Sequence, residues 1–191
     1  SVTAGGVSNQ VYSDMGFVAG GFNNSVSGTS SAAIGGYSNS VTGNNSGNFA
    51  GRDSTVSGLN SVTAGGVSNQ VYSDMGFVAG GFNNSVSGTS SAAIGGYSNS
   101  VTGNNSGNFA GRDSTVSGLN SVTAGGVSNQ VYSDMGFVAG GFNNSVSGTS
   151  SAAVGGYNNS VTGNNSGNID GEDNTVSGDR SGNVAGDTNT V

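Results

Sequence analysis

Side chains that could perform chemistry are scarce in this sequence of 191 residues. It contains no His and no Cys, and its only cationic side chains are three Arg. None of its many Ser residues has a neighbouring base that could activate the hydroxyl group as a nucleophile. We therefore predict that the protein is not an enzyme, has no catalytic residues and uses no cofactor.

The densest group of acidic residues is Asp170, Glu172 and Asp173. Carboxylates this close together could suggest a cation site. The calcium-binding β-roll pattern, however, needs the spacing Gly-Gly-x-Gly-x-Asp in consecutive coils, and that spacing is absent from the sequence. We expect a solvated acidic corner here and no metal site.

Aromatic residues that could contact a ligand recur at a fixed interval. Phe22 and Tyr37 lie 15 residues apart, with Val7 one interval before them and Arg52 one interval after them. A series that accepts Arg is not buried throughout, and exposed aromatics beside polar groups are typical of protein or glycan contacts. The same residues could instead line a seam between chains, which is the reading we favour.

The candidate ligand or chain–chain contacts in this series are Phe22, Tyr37, Phe82, Tyr97, Phe142 and Tyr157. A second set of tyrosines holds another fixed place in the pattern and is expected to point outward: Tyr12, Tyr72 and Tyr132.

These intervals belong to a 15-residue repeat that fills the whole chain. Counting from Ser1, repeat position 6 is Gly and repeat position 11 is Val in all 13 copies, the last of which ends at Val191. A period this short predicts stacked, similar coils, a β-solenoid, and not a conventional globular core. The fixed phase also argues against disorder, which the Gly, Ser and Asn content would otherwise suggest.

A longer period lies over the short one. Residues 1–60 and 61–120 are identical, residues 121–180 differ from them at eight positions, and residues 181–191 form a partial coil. We expect one domain over residues 1–191, in which a block of four different coils has been copied.

Within each coil, repeat positions 1–4 and 8–12 are expected to be strands, with Gly corners at positions 6 and 13. Side chains alternate faces along a strand, so positions 2 and 4 share a face. Their volumes compensate: Phe17 is paired with Ala19, and Gly47 with Phe49. Such compensation is typical of a close-packed interior, and we predict that positions 2, 4 and 11 form the core.

Repeat position 9 is Asn in all copies except those with Ser54 and Ser114. By strand parity this Asn points the same way as the core Val. A buried amide must be hydrogen-bonded, and a ladder of amides from coil to coil would achieve this. Alternatively, the Asn residues occupy turns in the left-handed conformation that Asn tolerates.

Charge and hydropathy restrict the partners. The net charge of −7 disfavours nucleic acid and anionic membranes. No apolar run approaches the roughly 20 residues needed to cross a bilayer, so we expect no direct membrane insertion by this segment. Coils this thin would be marginal alone and would expose apolar rows, so we expect a homo-oligomer.

The segments SAAIGGYSNSVTG (residues 31–43) and GFVAGGFNNSVSG (residues 16–28) resemble the head repeats of YadA-like trimeric autotransporter adhesins. This resemblance covers all the coils and implies an all-β fold, a left-handed parallel β-roll packed as a homotrimer. It also implies display on the bacterial outer membrane through a coiled-coil stalk and a barrel anchor. The chain departs from the pattern at residues 49–51 and 169–171.

The function implied by the resemblance is that of an adhesin head, attaching bacteria to host cell receptors or extracellular matrix proteins. Because the pattern begins and ends within a coil, we expect an excised head fragment that is exposed at the bacterial cell surface. The alternative is a purely structural spacer or a phage tail-spike segment, since similar repeats occur in phage fibres. Such a spacer would have no ligand of its own.

Overall fold

The computed structural model describes residues 1–191, which form two compact units, Ser1–Gly96 and Tyr97–Val191. Each unit is an all-β solenoid of stacked parallel coils without any helix. Strands of three residues form one sheet, here called the wide sheet, and strands of two residues form the narrow sheet. Nothing in either unit has the helical length and apolar character that a membrane-spanning helix requires.

In the first unit the wide sheet contains β1 (Val2–Ala4), β3 (Phe17–Ala19), β5 (Ala32–Ile34), β7 (Gly47–Phe49), β9 (Val62–Ala64), β11 (Phe77–Ala79) and β13 (Ala92–Ile94). Its narrow sheet contains β2 (Gln10–Val11), β4 (Ser25–Val26), β6 (Ser40–Val41), β8 (Thr55–Val56), β10 (Gln70–Val71) and β12 (Ser85–Val86).

In the second unit the wide sheet contains β15 (Gly107–Phe109), β17 (Val122–Ala124), β19 (Phe137–Ala139), β21 (Ala152–Val154), β23 (Gly167–Ile169) and β25 (Gly182–Val184). Its narrow sheet contains β14 (Ser100–Val101), β16 (Thr115–Val116), β18 (Gln130–Val131), β20 (Ser145–Val146), β22 (Ser160–Val161) and β24 (Thr175–Val176).

The register places equivalent repeat positions beside one another. Val2 pairs with Phe17 in the wide sheet, and Val11 pairs with Val26 in the narrow sheet, both in parallel. Rows of like side chains therefore run along each unit, and each row can be described by its repeat position.

The Val row at repeat position 11 is buried, as predicted. Its members in the two units are fully buried from the second coil to the twelfth: Val26, Val41, Val56, Val71, Val86, Val101, Val116, Val131, Val146, Val161 and Val176. Removing a Val side chain from water contributes roughly 1.5–3 kcal/mol. This row supplies most of the apolar interior.

The prediction that repeat positions 2 and 4 are core is wrong. Phe17, Ile34 and Phe49 are 37%, 40% and 40% exposed, whereas position 3 between them is buried, with Val18 and Asn48 at 0%. Strand side chains alternate, and the interior lies on the face opposite to the one expected. Position 3 carries Val, Ala, Asn or Thr, and its polar members argue against a place in the interior.

The Asn row at position 9 forms the predicted ladder. Asn39 donates its side-chain Nδ2–H to Asn24 Oδ1 at 3.0 Å and to the Gly51 carbonyl at 2.6 Å. Asn24 Oδ1 also accepts the backbone N–H of Asn39 at 3.0 Å. The left-handed conformation belongs to the preceding residue, as in Asn23 with φ of 55°, so the turn explanation is wrong for position 9.

A second ladder, of Ser hydroxyls at repeat position 1, was not anticipated. Ser46 Oγ donates to the Gly58 carbonyl at 2.7 Å and accepts the backbone N–H of Ser61 at 3.0 Å. Both Ser46 and Ser61 are buried. The hydroxyl thereby satisfies a carbonyl and an N–H at the corner, which buried main-chain groups require.

Both predicted Gly corners are confirmed. Gly21 has φ of +81°, and a Cβ atom there would lie 2.5 Å from the carbonyl oxygen of Gly36. At the position-13 corner, a Cβ atom on Gly58 would lie 1.7 Å from the carbonyl oxygen of Ser73.

We predict that Val41→Asp destabilises the fold by about 4 kcal/mol or more, because it buries an unpaired carboxylate. Far-UV circular dichroism during thermal unfolding measures the change. Thr42→Asp, on the exposed neighbouring position, is the matched control and should stay within about 0.5 kcal/mol of the unaltered chain. Unchanged melting of Val41→Asp would refute the assignment of the Val row to the interior.

We predict that Asn39→Leu lowers the free energy of unfolding by about 1–3 kcal/mol, because the Gly51 carbonyl and the Ser54 N–H lose their partner. Asn39→Ser should cost less, since Ser54 Oγ already accepts the Asn69 N–H at 3.2 Å in the ladder. Urea unfolding compares the two variants. Equal losses of unfolding free energy in the two variants would show that the hydrogen bonds of the Asn39 amide do not contribute to stability.

Candidate functional site

The outer face of the wide sheet carries only apolar residues and Gly. In the first unit its position-2 row is Val2, Phe17, Ala32, Gly47, Val62, Phe77 and Ala92, and its position-4 row is Ala4, Ala19, Ile34, Phe49, Ala64, Ala79 and Ile94. The second unit continues the pattern, with Phe109, Phe137 and Ile169 at 41%, 39% and 51% exposed. These two rows are called the apolar face.

The compensating volumes seen in the sequence lie on this face and not in the interior. A Cβ atom on Gly47 would lie 2.8 Å from Phe49 Cε2, so the ring of Phe49 folds over Gly47. Constant summed volume per coil is expected where a second surface packs at a fixed distance. Large contiguous apolar patches of this kind mark interaction sites on soluble proteins.

A second exposed row lies beyond the Gly corner, at repeat position 7. In the first unit Val7, Phe22, Tyr37, Arg52, Val67 and Phe82 pair successively as parallel bridges, and in the second Tyr97, Arg112, Val127, Phe142, Tyr157, Glu172 and Asp187 do so. This is called the position-7 row. Its main chain is fully engaged around Arg52, whose N–H donates to the Gly66 carbonyl at 3.0 Å and whose carbonyl accepts from Ser68 at 2.8 Å.

The aromatic members of this row stack in pairs. The rings of Phe22 and Tyr37 lie 5.2 Å apart and are 10° from parallel, and those of Phe142 and Tyr157 lie 5.2 Å apart at 6°. Phe22 and Tyr37 are 43% and 49% exposed. These four candidates thus form stacks that are fixed in position but still accessible. The other two, Phe82 and Tyr97, are 41% and 48% exposed.

An open depression of about 400 Å³ lies beside Arg52 in the first unit. Its lining residues are Gly36, Tyr37, Ala50, Gly51, Arg52, Gly66 and Val67. Because the floor is Gly and Ala, the two larger walls are the Tyr37 ring and the Arg52 side chain.

The outward orientation expected for Tyr12, Tyr72 and Tyr132 is confirmed. They are 69%, 51% and 51% exposed. The Tyr72 hydroxyl donates to Gln70 Oε1 at 2.9 Å, and Tyr12 makes the same contact with Gln10. This pairing across one intervening residue holds the phenol group against the narrow sheet.

Charged residues are exposed and loosely paired. Arg112 Nε lies 3.7 Å from Asp113 Oδ2, whereas the equivalent residues Arg52 and Asp53 form no ion pair. Asp173 accepts a hydrogen bond from Asn158 Nδ2 at 2.5 Å. No group of three or more His, Cys, Asp or Glu side chains is arranged to hold a metal ion.

The structure brings Phe22, Tyr37 and Arg52 together in one row and keeps Tyr12 on a different part of the coil. Sequence reasoning missed the apolar face because it assigned those residues to the interior. No signal in the sequence could have corrected this, since positions 2 and 4 are never polar, whereas position 3 is Asn48 or Thr63 in some coils.

The fold and its exposed rows define the class of protein. It is a repetitive β-solenoid in which each unit carries the apolar face on its wide sheet. No protein-family model matches the sequence, and no curated protein matches it.

Proposed function

We propose that the chain is a head segment of a bacterial surface adhesin of the YadA-like trimeric autotransporter type. It packs as a homotrimer of left-handed β-rolls with 15-residue coils and is displayed at the outer membrane. Its repetitive surface attaches the cell to host cell-surface or matrix proteins. It carries out no reaction and holds no cofactor or metal.

The observation that carries this proposal is the apolar face. Phenylalanine, isoleucine and valine side chains occupy it without one polar interruption, although it faces outward. Water contact with such a face is unfavourable by roughly 25 cal/mol per Å² of apolar area. Association with copies of the same chain covers the face and explains its constant width, since symmetric oligomers bury the same patch on every subunit.

Two further points support the details. The pairing of Val11 with Val26 and of Val2 with Phe17 agrees with a 15-residue coil. The left-handed sense and the number of three chains rest on the resemblance of residues 16–28 and 31–43 to the adhesin head repeats.

Repetition supports attachment through many weak contacts. Residues 1–60 and 61–120 present identical side chains, so one receptor contact is available more than once per chain and again on each partner chain. Linked weak contacts raise overall affinity by avidity, without any single strong site. Tyr72 and Tyr132, which are half exposed, are the proposed protein contacts.

We expect light scattering to give three times the chain mass of 18.3 kDa. The triple variant Ile34→Lys, Ile94→Lys, Val154→Lys places charges on the apolar face and should dissociate the assembly. The matched control Thr42→Lys, Thr102→Lys, Thr162→Lys alters exposed positions directly after strands of the narrow sheet and should remain trimeric. A monodisperse monomer of the unaltered chain would exclude the trimer.

We expect beads coated with the trimer to bind epithelial cells or immobilised matrix proteins. Replacing Tyr12, Tyr72 and Tyr132 by Ser should weaken binding by about tenfold or more, because interface tyrosines often carry much of the binding energy. Thr42→Ser, Thr102→Ser and Thr162→Ser serve as the control. Absence of any binding by the unaltered trimer would identify the segment as a structural spacer.

A further inference from the structure

We propose that the depression beside Arg52, with its sequence copy beside Arg112, binds an acidic sugar residue of a glycan through the sugar carboxylate. This inference rests on the proposed function as a surface adhesin and names a class of ligand for it. The site consists of Tyr37, Arg52 and Val67 in the first unit, and of Tyr97, Arg112 and Val127 in the second.

The floor of the depression admits a ligand closely. Gly36, Ala50, Gly51 and Gly66 lie beneath it, so no long side chain fills the space. The depression has a volume of about 400 Å³ and is open to solvent.

One wall offers an aromatic surface. Phe22 stacks on one face of the Tyr37 ring at 5.2 Å. Arg52 follows Tyr37 in the same row, and both side chains line the depression. Because the stack and the paired main chain fix the ring, little side-chain freedom remains to be lost on binding. A pyranose ring presents an apolar face of C–H groups that can lie against such a surface.

The other wall offers a cation. Arg52 is exposed and forms no ion pair. Its copy Arg112 lies 3.7 Å from Asp113 through Nε alone, with the two side chains 62% and 48% exposed. Exposed pairs of this kind contribute little to stability. The guanidinium group therefore keeps donors for a bidentate contact with a carboxylate.

An acidic glycan fits this site better than an acidic peptide. An extended peptide usually binds by adding a strand to a free sheet edge. Here the main chain is already paired, since Tyr37 donates to Gly51 at 3.0 Å and accepts from Asp53 at 2.9 Å. What remains is a ring face, a cation and an open floor.

The apolar face leaves the position-7 row free for this role. The row contains Arg52, Glu172 and Asp187, and burying these unpaired charges between chains would be unfavourable. Positions 2 and 4 supply a contact surface between chains that has no charged member. The aromatic stack of the position-7 row is therefore not needed for contact between chains.

The third block provides an internal contrast. Tyr157 is followed in its row by Glu172 and Asp187 instead of Arg and Val. Residues 121–191 also hold six of the ten acidic side chains. Carboxylates at this place repel an acidic sugar. Each chain therefore has two sites, and the equivalent surface beside Tyr157 does not bind the sugar.

Saturation-transfer difference NMR on the full chain tests the site. The probes are the methyl glycosides of N-acetylneuraminic acid and of glucuronic acid, with methyl glucoside as the neutral comparison. We expect transfer to at least one acidic glycoside at about 1–10 mM, the affinity range of a single weak contact, and much less to the glucoside. A preference between the two acidic probes identifies the type of sugar.

The variants separate the site from general charge. Arg52→Gln with Arg112→Gln should lower the affinity at least tenfold, whereas Arg180→Gln alters an exposed Arg outside the row and should change nothing. Asp170→Ala with Glu172→Arg and Asp187→Val recreates the site beside Tyr157, since Asp170 stands where Ala50 lies in the first block, and should raise the calorimetric stoichiometry from two to three per chain.

Three results overturn the inference: no transfer to either acidic glycoside, equal transfer to the neutral glucoside, or stronger transfer to acetyl-Asp-Glu-amide than to the sugars. The outcome is distinguishable from failure of the adhesin proposal. Trimer mass and cell attachment that persist without sugar binding reject only the sugar site. Sugar binding by a chain that neither trimerises nor attaches to cells rejects the adhesin head.

Discussion

The structure depends on how closely neighbouring coils approach at their corners. A Cβ atom on Gly58 would lie 1.7 Å from the Ser73 carbonyl oxygen, and one on Gly36 would lie 2.2 Å from that of Gly51. A side chain added to Gly58 or Gly36 alone would push two coils apart. Because both sheets are built only from contacts between neighbouring coils, separation at one corner also breaks the strand pairing on either side of it.

This close approach determines the composition of the interior. Little space remains for large side chains, so the Val row is accompanied by ladders of small polar groups that satisfy the corner main chain. In some coils the Ser hydroxyl comes from a different repeat position. Where Gly76 replaces the usual Ser at position 1, Ser73 replaces Gly at position 13 and donates its Oγ–H to the Gly88 carbonyl at 2.7 Å. A Cβ atom on Gly76 would lie 2.9 Å from Ser73 Oγ, so the two exchanges depend on each other.

The repeat predicted a stacked β-solenoid, both Gly corners, the buried Val row and the Asn ladder, because each follows from a residue type that recurs in phase. It did not predict which face of the wide sheet points into the interior. An apolar row that faces a partner chain and one that faces the interior have the same period and the same compensating volumes, as Gly47 and Phe49 illustrate. The depression at Arg52 was also beyond sequence reasoning. Spacing placed Tyr37 and Arg52 in one row, but only the structure shows the open depression with its Gly and Ala floor beside them.

The buried polar groups have one property in common: all are Asn, Ser or Thr. No ionisable side chain is buried in either unit, so lowering the pH does not have to neutralise or create a charge inside the fold. Acid denaturation usually proceeds through such groups. An interior built only from neutral hydrogen-bonding groups is therefore poorly coupled to protons. The carboxylates that link neighbouring coils, such as Asp74, whose Oδ1 accepts the Leu59 N–H at 2.9 Å, lie on the exposed surface instead.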